Sequence, residues 1–244
     1  ATLRGHHLEV WSLALCPDNT TLVSGAKDGS VLVWDTAAVR RRQSYATLPV
    51  PVVAWSLLPD GQAILALDKQ GRVSRWQGTD FQHSQPLVEL GTNALAACFS
   101  GDGRYVATAS MDGAGQVWDL QQGRILNEVA PKEGWGLPVA FLDGSNHLVT
   151  QQGRDGGFRE WDVTTGRETR RWPFAAPGLP WKKAISSDGQ RVVVMDGEGT
   201  GEWHDLATGQ DKRLDLQLKQ VNATALSPNG RLLAAVSVLG IGQV

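Results

Sequence analysis

Apolar residues fall along this chain in short alternating runs, and the runs themselves recur. In Gly5 to Asp35, GHHLEVWSLALCPDNTTLVSGAKDGSVLVWD, Val10, Leu13 and Leu15 precede a Pro-Asp-Asn turn at Pro17 to Asn19. Their spacing of three and then two predicts a strand carrying a bulge. Thr21 to Ala26 alternates as a second strand, Asp28-Gly29 marks a tight turn, and Val31 to Trp34 reads as a third strand. A fourth runs to about Leu48, with Arg40-Arg41-Arg42 expected in the loop before it.

The same unit returns down the chain, its closing Trp falling at Trp34, Trp76, Trp118, Trp161 and Trp203, in steps of 42, 42, 43 and 42 residues. Repeats are therefore expected at about 5–48, 49–90, 91–130, 131–174, 175–216 and 217–244, in one domain over 1–244. The third is the clearest after the first, with Ser100-Gly101-Asp102-Gly103 and Trp118-Asp119. In the second, Gln70 replaces the turn Asp and Gln77 follows the Trp. The fifth is one residue short, Asp188 preceding Trp203 by 15 residues against 16 in the third. A further step would land just past Val244, and Ala1-Thr2-Leu3 matches Ala46-Thr47-Leu48. The expectation is an internal fragment of a longer chain, with five complete four-stranded units and a partial sixth. Such units cannot bury both faces alone and stack on their neighbours.

This period, with Gly5-His6 at the start and Trp34-Asp35 at the end, resembles the WD40 family, whose repeat has about 40–45 residues. The resemblance implies an all-β fold, a WD40-type β-propeller with an open or incomplete ring. In that family a His, a Ser or Thr, an Asp and a Trp form a structural hydrogen-bond relay in each blade. His6, Ser24, Asp28 and Trp34 match it in the first repeat, and Thr108, Asp112 and Trp118 match it without the His in the third. The other repeats retain less of it, and repeats two, five and six are expected to rely mainly on apolar packing.

Composition removes several classes of function. A net charge of −2 gives no global drive toward nucleic acid or an anionic membrane. No stretch reaches the roughly 18 apolar residues of a membrane span, and ATLRGHH lacks the parts of a signal peptide. With Cys16 and Cys98 in different repeats, a disulfide is not expected, which fits a reducing, cytoplasmic setting. The scattered histidines show no zinc spacing, so no metal and no cofactor is expected. Asp196-Gly197-Glu198-Gly199 reads as a solvated turn, not a calcium loop.

Candidate chemistry then lies in recognition. Five of the ten Trp residues close repeats and Trp55 aligns with core Leu13, which leaves Trp11 and Trp181, each seven residues before a turn Asp (Asp18, Asp188). Both fall at the start of an innermost strand, with Val53 and Leu95 equivalent, Leu137 nearby in the fourth repeat, and Asn222 in the sixth. That end of the strand faces the top of a WD40 propeller, where these residues serve either a partner or inter-blade packing. Lys27, Lys69, Met111 and Arg154 stand seven residues before their closing Trp, next to the top turns. Together they predict a face that is apolar, partly aromatic and cationic. Its partner would be a protein or peptide carrying acidic groups, carboxylate or phosphate, beside an apolar anchor. The expected role is a non-catalytic interaction scaffold. Two alternatives stay open: a propeller enzyme, quinone-dependent dehydrogenase-like or a hydrolase, and a recruitment module fused to an effector such as a kinase.

Overall fold

A computed structural model describes residues 2–15, 20–27, 30–38, 40–45, 52–58, 63–77, 83–91, 94–110, 115–129, 136–142, 146–152, 157–172, 182–186, 188–196, 198–206, 208–227, 229–237 and 241–243. Among them the chain is all-β. Strand β1 is Thr2–Arg4, and the rest come in runs of four. The first run is β2 to β5 (Val10–Leu15, Thr21–Ala26, Val31–Asp35, Arg40–Tyr45), and the second is β6 to β9 (Val52–Leu57, Ala63–Asp68, Arg72–Gln77, His83–Glu89). The third is β10 to β13 (Ala94–Phe99, Tyr105–Ser110, Gly115–Asp119, Arg124–Glu128), and the fourth is β14 to β17 (Gly136–Phe141, His147–Gln152, Phe158–Asp162, Arg167–Trp172). The fifth is β18 to β21 (Lys182–Ile185, Arg191–Met195, Thr200–Asp205, Gln210–Asp215). Last come β22 (Val221–Leu226), β23 (Leu233–Ser237) and β24 (Ile241–Gln243).

Five antiparallel sheets are built from four consecutive strands each, the blades of a WD40-type β-propeller. The sixth has the order β1-β24-β23-β22, so residues near the two ends of the chain share a sheet, with Leu3 opposite Gly242. Its outer two strands are only three residues long.

Burial grades across each blade. The second strand is nearly all apolar and buried, as in β3 and β7, because sheets cover both of its faces. The fourth strand is mostly exposed and polar in β9, β13, β17 and β21. The Arg40-Arg41-Arg42 run, expected in a loop, opens β5 instead. A short turn leaves no room for a loop there, since the Asp35 carboxylate accepts the Ala38 N–H at 2.9 Å.

Two compact units divide the chain, a terminal one (Ala1–Val52 with Pro180–Val244) and a central one (Val53–Leu179). In the central unit Leu65, Leu67 and Val73 of one sheet meet Phe99 and Val106 of the next, and Tyr105 and Val117 meet Phe141, Leu148 and Trp161. Within the terminal unit Leu15, Leu22, Leu32 and Trp34 meet Leu3 and Ala234, while Ala184, Val193 and Met195 meet Leu226. No helix among the described residues is long and apolar enough to cross a membrane.

Candidate functional site

The first blade is organised around one hydroxyl. Ser24 Oγ accepts the Trp34 indole N–H at 2.8 Å and lies 2.6 Å from His6 Nε2, while His6 Nδ1 is 2.8 Å from Ser30 Oγ. A serine serves both if its lone pair takes the indole N–H and its own proton goes to Nε2, which puts the imidazole proton on Nδ1. Gly5 is required beside this group, since a Cβ there would stand 2.9 Å from the Trp34 ring. Asp28 lies outside the described residues, as does Asp112.

In the third blade Thr108 is buried, yet the Trp118 indole N–H has no partner among the described residues. The fourth blade, expected to retain less, makes the bond: Trp161 Nε1 donates to Thr150 Oγ1 at 2.9 Å. Its longer turn hid this equivalence. In both first and fourth blades the hydroxyl stands two residues beyond the partner of the Trp, Leu22 facing Trp34 and Leu148 facing Trp161.

Register corrects the fifth repeat. Val192, four residues after Asp188, faces His204, and Arg191 faces Asp205, as Val106 faces Trp118 and Tyr105 faces Asp119. His204, not Trp203, takes the closing position, 43 residues after Trp161 and 16 after Asp188. It is buried, with Nδ1 2.7 Å from Asp211 Oδ1 and Nε2 3.5 Å from Glu202 Oε2. Trp203 packs partly buried against the neighbouring apolar cluster.

Blades two and five share a top turn that replaces the missing turn Asp. Asp68 Oδ1 accepts the N–H groups of Gln70 at 2.8 Å and Arg72 at 3.0 Å, and Asp196 Oδ1 accepts those of Glu198 and Thr200, both at 2.9 Å. Gly71 and Gly199 close these turns at φ of 81° and 83°. Hydrogen bonding from Thr200, its hydroxyl first, holds the Asp196 carboxyl below the usual aspartate range. These blades thus hold more than the apolar packing expected of them. The signal was an Asp three residues before a Gly.

Bulges occupy the starts of the innermost strands. The ladder skips a residue at Trp11 in β2, at Leu95 in β10 and at Asn222 in β22, and between Pro138 and Ala140 in β14. A bulge re-aims the side chain it carries. In the central unit Leu95 is accordingly 48% exposed, Lys69 is exposed at its turn, and Val53 instead packs partly buried against the core. Within the terminal unit the Lys27 ammonium lies 3.6 Å from Glu9, and Leu8, which the repeat pattern did not single out, is 50% exposed just before β2. Lys182, at the start of β18, is half-buried and its Nζ lies 3.3 Å from Asn222 Oδ1. The Asn222 amide in turn donates to the Val10 carbonyl. Met111, Arg154, Trp181 and the Trp11 side chain lie outside the described residues.

Known proteins share this pattern. The family model described as "WD domain, G-beta repeat" matches residues 1–35 and 81–119. Telomerase protein component 1 of Rattus norvegicus is 26% identical over 193 residues, 78% of this chain and 7% of that protein. Apoptotic protease-activating factor 1 of Rattus norvegicus is 27% identical over 211 residues, 81% of this chain and 16% of that protein. Guanine nucleotide-binding protein subunit beta-5b of Danio rerio is 30% identical over 149 residues, 58% of this chain and 37% of that protein. The chain spans less than half the length of each. One matched segment, 1–35, carries the His6, Ser24 and Trp34 bonds, and the six sheets repeat the strand order around them, so the chain resembles the WD40 repeat family in both sequence and blade structure.

Proposed function

We propose that this chain is a non-catalytic interaction scaffold that docks a protein or peptide segment at the starts of its innermost strands. The observation that carries this reading is the bulge at Leu95, which turns a large apolar side chain out to solvent beside an otherwise buried Ala94. Exposed apolar side chains fixed on rigid strands suit an anchor contact. Two relatives support it through their names, one a subunit and one a component, words that denote parts of assemblies. The segment bound carries an acidic group, carboxylate or phosphate, beside its apolar anchor. Lys69, exposed at its turn in the same unit as Leu95, supplies positive charge there, and Lys27, beside Glu9, takes the same role in its own blade. Trp11, Trp181, Met111 and Arg154 extend the same role in their own blades.

A second reading has its own observation: Leu87 and Ile125, on the outer strands β9 and β13, are each 39% exposed. Photo-crosslinking separates the two. With benzoylphenylalanine placed singly at Leu95, Leu87 and Ile125 of the chain expressed in cells, a discrete crosslinked protein is expected from Leu95 alone. Crosslinks from Leu87 or Ile125 with none from Leu95 would move the interface to the outer strands.

A further inference from the structure

Three innermost strands of the terminal unit are tied together by one amide. Strand β22 lies against both β2 and β18, and Asn222, on the β22 bulge, accepts from Lys182 through Oδ1 and donates to the Val10 carbonyl through Nδ2. Both partners agree on the orientation of the amide, since reversing it would set an N–H against an ammonium and a carbonyl against a carbonyl. The arrangement fixes a cation. Among the described residues, two of the three Nζ–H bonds of Lys182 have no acceptor and no carboxylate pairs with it. Half-burial with no counter-charge also pulls its pKa below the ordinary lysine value.

A half-buried ammonium held by a neutral amide costs stability, and an apolar side chain of similar length would cost less. Natural chains keep such groups where a ligand repays the cost. We infer that Lys182, positioned by Asn222, is the subsite for one side-chain carboxylate of the docked segment, at the meeting of β18, β22 and β2. This deepens the scaffold reading and rests on it. A carboxylate fits better than a phosphate because the subsite offers one positive charge and no guanidinium fork, and alternation along β18 sends Lys183 to the opposite face.

The test uses the full chain and three fluorescein-labelled peptide pools that differ at one position, glutamate, glutamine or phosphoserine, with leucine two residues away and the rest randomised. By fluorescence polarisation the glutamate pool is expected to bind about tenfold tighter than the glutamine pool, as a charge-assisted hydrogen bond gives. Lys182→Met should erase that preference and at the same time raise the thermal unfolding midpoint. A glutamate preference that survives Lys182→Met overturns the inference, and so does a lowered midpoint, which would make Lys182 a structural strut. Tighter binding of the phosphoserine pool than of the glutamate pool overturns the choice of carboxylate. Equal binding of all three pools, lost in Leu8→Asp of the same unit, sinks the subsite but leaves the docking reading, whereas no binding by any pool sinks both.

Discussion

Ser24 is the residue on which most depends in the first blade, because buried Trp34 and half-buried His6 share its single hydroxyl. Ser24→Ala strips the acceptor from the Trp34 indole and is expected to destabilise by about 1–3 kcal/mol. Thr108→Val, at the equivalent place in the third blade, should cost under about 1 kcal/mol because the Trp118 N–H does not reach it. Urea denaturation of the two variants checks the contrast, and equal midpoints would deny Ser24 this part. Asp162 carries the clearest acid signature: the Thr164 hydroxyl, then the Thr165 backbone, lower its pKa from 3.8 to about 2. A depressed carboxylate contributes stability that is present above the unfolded value near 3.8 and is lost as pH falls through about 2. The gap in thermal midpoint between the native chain and Asp162→Asn should therefore be largest above pH 4 and close toward pH 2. A constant gap across that range would contradict the assignment.

Turns and bulges, at the next scale, decide what each strand presents. Gly199 and Gly209 both have positive φ, 83° and 71°, but a Cβ at Gly199 would stand 2.0 Å from the Leu218 carbonyl oxygen, whereas at Gly209 it meets nothing within 4 Å. Gly209→Ala should cost about 1–2 kcal/mol for the left-handed backbone alone. Gly199→Ala should cost roughly twice that or more, because the backbone of the next connection must move. Calorimetry of both variants measures the difference. The blades themselves were legible in the sequence because Pro-Asp or Asp-Gly turns punctuate the first five repeats and Pro228-Asn229-Gly230 the sixth, and the bulge in β2 because Val10, Leu13 and Leu15 break the alternation once. Two features were not. A closing Trp is such a strong mark that Trp203 drew the alignment away from His204, although the count of 16 residues from Asp188 pointed to the histidine. The Lys182 and Asn222 contact joins residues 40 apart in different blades, and side-chain pairing between blades leaves no period to read.

The molecule as a whole is a series of sheets in which all but one are local in sequence. Five blades pair only strands that follow one another, while the sixth needs residues 2–4 beside residues 241–243. Deleting residues 1–4 is expected to abolish amide protection in β24 and leave that of β3 and β7 unchanged, as hydrogen exchange read by mass spectrometry would show. Protection in β24 that survived the deletion would mean that β23 alone holds it. The pairing of β1 with β24 also sets a timetable. During synthesis, at about 5–20 residues per second, residues 2–4 leave the ribosome roughly 10–50 s before their partners exist. For that interval Leu3, buried in the folded chain, has the first blade on one side but lacks Ala234 and the pairing with β24. The strand edge that β24 pairs thus stays open until β24 is made, and yield in the cell should depend on whatever shields that edge as much as on the stability of the folded sheet.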